Sequence, residues 1–227
     1  MKKILLLICI IGLFTPATLH AQDRANVFRH GKLDNGLTYY VRHTSMQPGK
    51  ADFYLVQNVG ALMEEDNQNG LAHFLEHMAF NGSESFKEGI PNFLKRRGVT
   101  RFNAQTGQDE TVYYMTAIPT NDTKLLDSCL LVMKDWSGFL LLKPDEIDKE
   151  RGVIREERRM RRNLGARLKE QSDPLVFNNS KYATRNVIGS EKIINNFTPE
   201  ELRAYYNDFY RPDLQAVIVV GDIDAAK

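Results

Sequence analysis

The sequence predicts an α+β fold in which helices pack on one face of a largely antiparallel sheet. Strand-like runs and helical patterns follow one another without the regular strand–helix–strand alternation that produces a parallel sheet. Asn35-Gly36 lies between two strand-like runs and is a signal for a β-hairpin. Roughly two hundred residues beyond the N-terminal segment suit one domain with a substantial core.

The first residues have the form of a secretory signal peptide. Two lysines precede an apolar run from Ile4 to about Phe14, and small residues then lead to Ala21. The apolar run is shorter than the ~20 residues that a membrane-spanning helix needs, which makes an uncleaved anchor the less favoured alternative. We therefore predict a leader at residues 1–21, export to the periplasm or beyond the cell, and no stable membrane insertion.

Local patterns place the remaining elements in order along the chain. The run DFYLVQNV at residues 52–59 is rich in β-forming side chains and predicts a strand. Residues 71–80 repeat apolar side chains at helical spacing, and Asn81-Gly82 is a suitable helix end. The other predicted elements are a short helix near 90–97, two strands joined at a turn containing Gly107, helices at 121–137 and from Pro144 to about 168, a helix opened by Thr198-Pro199, and a strand in QAVIVVGDID.

Charge and cysteine content exclude some classes of function. The chain carries 30 basic and 29 acidic residues, and loss of Lys2 and Lys3 with the leader leaves it close to neutral. Such a balance gives no electrostatic basis for nucleic acid or an anionic membrane as the main partner. Cys9 belongs to the leader, so Cys129 has no partner for a disulfide within the mature chain. We expect Cys129 to pack in the core.

The segment HFLEH carries the residue types of a catalytic metal centre. His73 and His77 are four residues apart, so on a helix they project from one face and can bind one ion. Zinc accepts imidazole nitrogen and carboxylate oxygen, and a catalytic zinc centre keeps one position for water. Glu76 can serve as general base toward that water, which predicts peptide-bond hydrolysis. A solvated helix surface is the alternative, and the scarcity of histidine, 5 in the chain, favours the metal site.

A third ligand is expected among the acids of the long charged helix. Glu150 and Glu157 are seven residues apart and share a helical face, whereas Glu156 points about 100° away from Glu157. An acid on an apolar face is costly to bury unless it binds something. A solvated helix with Glu–Arg pairs is an equally open alternative from the spacing. The apolar side of this helix is predicted to consist of Val153, Ile154 and Met160.

Several motifs together resemble the N-terminal catalytic domain of the pitrilysin, insulin-degrading enzyme and mitochondrial processing peptidase family of zinc metallopeptidases. They occur in the family's order and extend over most of the chain after the leader. The motifs are LDNGLTYYV, GLAHFLEHMAFNGSESF, FNAQTGQDETVYYM, KERGVIREE, VIGSEKIINNFTPEELRAYYNDFYRPD and VIVVGD.

This resemblance implies roles for five residues near a metal. His73, His77 and Glu157 would bind zinc, one ion per chain, and Glu76 would be the catalytic base. Glu150 would contribute to catalysis by supporting the site without binding zinc.

The resemblance also implies where a peptide substrate would bind. Asn103, Ala104 and Thr106 would lie on an edge strand beside the metal, where an extended peptide could add as another strand. An ordinary strand and turn is the alternative for each of these residues. Tyr113 and Tyr114 are expected in the core or on a sheet face.

We therefore predict residues 22–227 to be the N-terminal domain of a zinc metalloendopeptidase, incomplete at its C-terminus. The family pairs this domain with a similar one that lacks the metal motif, so we expect a C-terminal half-domain or a partner subunit, without which the chain could be inactive. Substrates would be unfolded peptides or oligopeptides. The alternatives are a non-catalytic peptide- or partner-binding subunit, which has no reason to keep Glu76, and a structural zinc module, which would close the open coordination position.

Overall fold

The computed structural model describes residues 28–178 and 180–225, so the predicted leader at 1–21 lies outside the described residues. The strands of this part are β1 (Phe28–Lys32), β2 (Thr38–His43), β3 (Lys50–Gln57), β4 (Phe102–Thr106), β5 (Thr111–Pro119) and β6 (Gln215–Gly221). They form one sheet in the order β1-β2-β6-β3-β5-β4. β2 and β6 are parallel, and the other neighbouring pairs are antiparallel. The predicted α+β fold with a largely antiparallel sheet is confirmed.

Eight α-helices occur in the described part of the chain. Among them, none combines the length and the apolar character that crossing a membrane requires. The helices are α1 (Leu71–Met78), α2 (Ile90–Arg96), α3 (Thr123–Gly138), α4 (Pro144–Arg161), α5 (Leu164–Val176), α6 (Lys181–Thr184), α7 (Glu191–Asn196) and α8 (Pro199–Phe209).

The core lies between one face of the sheet and the helices. Side chains of β3 and β5 alternate between buried and half-buried, as expected for strands with one covered face. Trp136 of α3 is fully buried, stacks on Tyr113 of β5 with ring centroids 5.4 Å apart, and donates a hydrogen bond to the Ala79 carbonyl at the end of α1 (3.0 Å). Cys129, on the same helix, is also buried, and burial raises the pKa of its thiol to about 12. The expected core role of Cys129 is confirmed.

The structure contains the turns and the helix cap that local sequence signals predict. β1 and β2 form the hairpin, with Gly36 in the turn at φ 96°, and β4 and β5 pair antiparallel on either side of Gly107. At the start of α8, the Thr198 side chain accepts a hydrogen bond from the Glu201 amide, while the Glu201 carboxylate accepts one from the Thr198 amide. This reciprocal cap supplies partners for two otherwise unpaired amides.

The helix that begins at Pro144 is shorter than predicted. It ends at Arg161 instead of continuing to about 168, because the Asn163 side chain accepts a hydrogen bond from the Ala166 amide and thereby caps a new helix, α5. The predicted apolar side is also wrong in part. Ile154 is buried, but Val153 and Met160 are 51% and 66% exposed. Both lie roughly 100° or more around the helix from Ile154, outside its inward face.

Two glycines hold the segment before α7 against the start of α1. Gly70 has φ 110°, which favours glycine, and a Cβ there would lie 2.8 Å from the Gly189 Cα. A Cβ at Gly189 would lie 2.5 Å from the Gly70 Cα. Ser190 completes the contact by donating its amide to the Asn69 carbonyl (3.2 Å). This close approach brings residues 186–190 beside the helix that carries HFLEH.

Candidate metal centre

Helices α1 and α4 cross so that two imidazoles face one carboxylate. His73 and His77 project from the same side of α1, with ring centroids 4.6 Å apart. Glu157 of α4 places its Oε2 atom 3.5 Å from His73 Nε2 and 3.2 Å from His77 Nε2. One ligand atom from each of the three residues lies within 4.8 Å of the others. Among the described residues, this is the cluster of histidine and carboxylate groups that could hold a metal ion.

The spacing of these atoms fits zinc. Ligand atoms about 2.0 Å from a tetrahedral zinc ion are roughly 3.3 Å from one another, which matches the two nitrogen–oxygen separations. Glu157 Oε2 is buried and has no hydrogen-bond partner in the described part of the chain. A buried carboxylate oxygen with imidazole nitrogens on two sides is costly unless a cation lies between them. The donor set of two imidazoles and one carboxylate is therefore suited to a zinc ion with an open position.

Glu150 fixes the orientation of the His77 ring. His77 Nδ1 lies 2.8 Å from Glu150 Oε1, so Nδ1 donates, and in the neutral form of the ring, which binds metal ions, the Nε2 lone pair points toward Glu157. Burial lowers the pKa of His77, but the hydrogen bond and the charges of the neighbouring carboxylates outweigh it and raise the pKa above its usual value. Glu150 thus acts on the centre through His77.

His73 is the more deeply enclosed of the two imidazoles. It is 3% exposed, and burial, together with the nearby His77 and Arg161, lowers its pKa to about 3. The ring is therefore neutral at ordinary pH, which is the form that binds metal ions. Its Nδ1 atom is buried and lacks a hydrogen-bond partner among the described residues.

Glu76 lies beside the three ligand candidates without belonging to them. Its side chain is buried, and Thr106 of β4 donates a hydrogen bond to its Oε2 atom (2.6 Å). Burial raises the pKa of Glu76, and the hydrogen bond from Thr106 lowers it part of the way back. A carboxylate whose proton affinity is raised in this manner is suited to take up a proton.

The acidic neighbour of Glu157 faces away from the centre. Glu156 is exposed and forms two hydrogen bonds with the Arg159 side chain, at 2.6 and 2.9 Å. Glu157, in contrast, contacts both histidines and pairs with Arg161. The face shared by Glu150 and Glu157 is therefore the face that α4 turns toward α1.

Strand β4 is an edge of the sheet, because β5 is its one neighbour in the strand order of the described part. The predicted substrate-binding residues differ in their surroundings along it. Thr106 reaches Glu76, whereas the Ala104 side chain is 8% exposed and faces the core, and Asn103 is exposed. Tyr113 is buried and Tyr114 is half-buried, as expected for core and sheet-face positions.

Glu64 is a buried carboxyl group that the sequence does not reveal as part of this region. It is fully buried and accepts hydrogen bonds from the Ala72 amide (3.0 Å) and the Asn69 side chain (3.1 Å), so it caps the first turn of α1. Burial raises its pKa to about 7, although these hydrogen bonds oppose the shift. Glu64 lies eight residues before Ala72, whose amide it accepts from, and the usual capping patterns join residues that are closer in sequence.

Comparisons with known proteins agree with the fold and the motif. The family model for insulinase (peptidase family M16) matches residues 35–172, and that for the peptidase M16 inactive domain matches residues 196–227. The chain is 36% identical over 200 residues to the probable zinc protease PqqL of Haemophilus influenzae, which is 86% of this chain and 22% of that protein. It resembles the crystal structure of the periplasmic protease PqqL from Escherichia coli with 33% identity and a TM-score of 0.83, over 88% of this chain and 22% of that one.

The crystal structure of pitrilysin has the same fold, with a TM-score of 0.74 at 22% identity. The chain thus spans about a fifth of the length of the PqqL proteins that it matches, 22% in each case. The insulinase model covers more than half of the chain, including both histidines and Glu157. The chain therefore belongs to the insulinase family of peptidases, peptidase family M16.

Proposed function

We propose that this chain is the metal-binding part of a zinc-dependent endopeptidase that hydrolyses unfolded peptides or oligopeptides. His73, His77 and Glu157 hold one zinc ion per chain. The observation that carries the proposal is the convergence of these three groups beside Glu76, a buried carboxylate that is not needed as a ligand. Two relatives of the chain are named as probable zinc proteases, and these names support zinc-dependent peptide hydrolysis.

Glu76 has the catalytic role in this proposal. A bound zinc ion supplies Lewis-acid chemistry, which polarises a peptide carbonyl and acidifies water. Thr106 holds Oε2 of Glu76, and Oε1 has no hydrogen-bond partner among the described residues. Glu76 therefore takes the proton of the attacking water at Oε1 and delivers it to the leaving amine. The Thr106 hydrogen bond keeps the carboxylate in the orientation that this transfer needs.

The edge of β4 aligns the peptide in the same proposal. An extended substrate adds beside Asn103 and Ala104 through backbone hydrogen bonds, so recognition there depends on peptide shape more than on side chains. Because Ala104 turns its side chain into the core, its contribution comes from the backbone.

The wider setting of the chain is also a proposal. Residues 22–227 form an N-terminal domain that functions with a second half-domain or a partner subunit. The leader at 1–21 directs export, as befits a relative named as a periplasmic protease. The binding-subunit alternative does not account for the presence of Glu76 at the centre.

The test compares the mature chain with the variants Glu76→Gln and Glu191→Gln. Zinc content and cleavage of a quenched fluorescent peptide library are measured for each protein. Glu191→Gln is the control, because Glu191 is exposed at the end of a helix. We expect one zinc per chain in all three proteins and a loss of cleavage of about 10²–10⁴-fold in Glu76→Gln alone. Zinc without cleavage in the unmodified chain would restrict the proposal to an assembly with the second half. Absence of zinc would overturn it.

A further inference from the structure

A basic cleft lies beside the metal centre, between the end of α4, the start of α5 and the segment that follows α6. Its volume is about 700 Å³. Five basic residues and two acidic residues belong to its wall. The basic residues are Arg158, Arg161, Arg162, Lys169 and Arg185, and the acidic residues are Glu170 and Asp173.

The excess positive charge of the cleft is only partly neutralised. Lys169 pairs with Asp173 at 2.5 Å, Arg161 pairs with Glu157, and Arg185 pairs with the exposed Asp66. Arg158 donates to the Gly189 carbonyl (2.6 Å), which carries no net charge. Arg162 forms no side-chain hydrogen bond or ion pair with the described residues. Since the end of α4 and the start of α5 both lie in the wall, their opposite helix-dipole ends offset each other, and the side chains determine the preference for anions.

Arg185 provides a second, independent indication of a ligand. The residue is 7% exposed, and its Nη2 atom donates to the exposed Asp66 (3.0 Å). Its Nε atom is buried and has no acceptor in the described part of the chain. A guanidinium N–H without an acceptor is costly, and Arg185 lines the cleft, so turning this N–H toward a ligand carboxylate there would supply the acceptor.

The cleft adjoins the proposed cleavage site on two sides. On α4, Arg161 contacts the ligand candidate Glu157, and on the other side Gln108 of the cleft follows two residues after Thr106, which holds Glu76. Arg162 follows the last residue of α4, five residues beyond Glu157, so the separation of the two along the helix axis is roughly 7.5 Å. An extended peptide covers that axial distance in roughly two to three residues.

We propose that this cleft is an anion subsite that binds a carboxylate of the peptide substrate, two to three residues from the bond that is cleaved. Arg162 and Arg185 are the residues that bind it. The carboxylate belongs to an aspartate or glutamate side chain, or to the C-terminus of a short peptide. The proposal rests on the peptidase function proposed above for the substrate's class, but the binding it describes is measurable without catalysis.

The experiment measures binding of fluorescent decapeptides to the zinc-loaded Glu76→Gln chain by anisotropy. A single glutamate is moved along an otherwise neutral polar peptide, and each peptide is made with a free and with an amidated C-terminus. We expect one or two adjacent glutamate positions to tighten binding about tenfold or more at low salt, with the gain reduced at high salt. Dependence on the free C-terminus instead of the glutamate would identify the terminal carboxylate as the bound group.

Variants then show which residues produce the gain in affinity for acidic peptides. Arg162→Gln should remove most of it and Arg162→Lys should restore part, because Arg162 is exposed and the fold does not depend on it. Arg167→Gln is the matched control, since Arg167 is an exposed arginine of α5 outside the cleft wall. Equal affinity for acidic and neutral peptides, or an equal loss in Arg167→Gln, would overturn the subsite. Tighter binding of acidic peptides without hydrolysis by the unmodified chain would support the subsite and would restrict the peptidase proposal to an assembly with the second half.

Discussion

His77 Nδ1 and Glu150 Oε1 lie 2.8 Å apart, so a carboxylate of α4 determines which ring nitrogen of a metal-ligand candidate on α1 carries the proton. Carboxylates in this position orient the imidazole and increase its basicity as a ligand. Glu150→Gln should therefore lower zinc affinity about 10–100-fold without changing the ligands themselves. Competition titration with a chromophoric chelator measures this affinity. Glu156→Gln on the exposed side of α4 is the control, and an equal effect in both variants would assign the loss to the charge of the helix.

The third ligand can be tested by comparing two adjacent glutamates. Glu157 contacts both histidines, while Glu156 is exposed and bound to Arg159. Glu157→Gln should retain only a small fraction of one zinc ion per chain, because an amide oxygen is a weaker zinc ligand than a carboxylate. Under the same conditions Glu156→Gln should retain one ion per chain. Atomic emission after gel filtration measures the content. The reverse ranking would move the ligand to Glu156.

Thr106 links the edge strand to the proposed base. Its hydroxyl donates to Glu76 Oε2 at 2.6 Å and lowers the pKa of a carboxyl group that burial raises. Thr106→Val removes this donor, so the pKa of Glu76 should rise further and the acidic limb of the pH profile of kcat/KM should move to higher pH. The loss in kcat at low pH should be about 10-fold or more. Thr106→Ser should restore both the limb and the rate, and a profile that keeps its position in Thr106→Val would contradict this role.

Local signals were enough to predict the hairpin at Asn35-Gly36, the cap at Thr198 and the helix that carries HFLEH. Each of these depends on a few neighbouring residues whose side chains or backbone preferences act over one turn. The pairing of Glu150 and Glu157 on one face also follows from helical geometry alone. The predicted apolar side of that helix was wrong in part, because Val153 and Met160 lie outside the inward face that contains Ile154.

The remaining features depend on tertiary contacts that spacing does not encode. Asn163 starts a new helix inside a charged run that continues a helical pattern, so its cap is visible only once Ala166 is seen to donate to it. Thr106 was predicted to bind substrate, and its contact with Glu76 depends on how β4 packs beside α1. The basic cleft likewise requires Arg162 and Arg185, which are far apart in sequence, to meet around one space.

Buried Glu64 should make the stability of the domain depend on pH. Its pKa is about 7 in the folded chain and close to 4.5 when unfolded, so the folded state holds the proton more tightly. Its contribution is therefore fully present below pH 4.5 and is lost as pH rises through 7. The difference amounts to about 3 kcal/mol in the free energy of unfolding. Glu64→Gln stays neutral throughout and should lack this component.

The measurement is urea unfolding of the metal-free chain, Glu64→Gln and the exposed control Glu110→Gln between pH 4.5 and 8. Glutamine places an N–H group opposite the Asn69 amide, which lowers stability by an amount that is independent of pH. Relative to the unmodified chain, Glu64→Gln should therefore gain stability steadily up to about pH 7 and then level off. Glu110→Gln should show no such trend. A constant difference for Glu64→Gln would mean that the hydrogen bonds from Ala72 and Asn69 keep the Glu64 carboxylate ionised despite its burial.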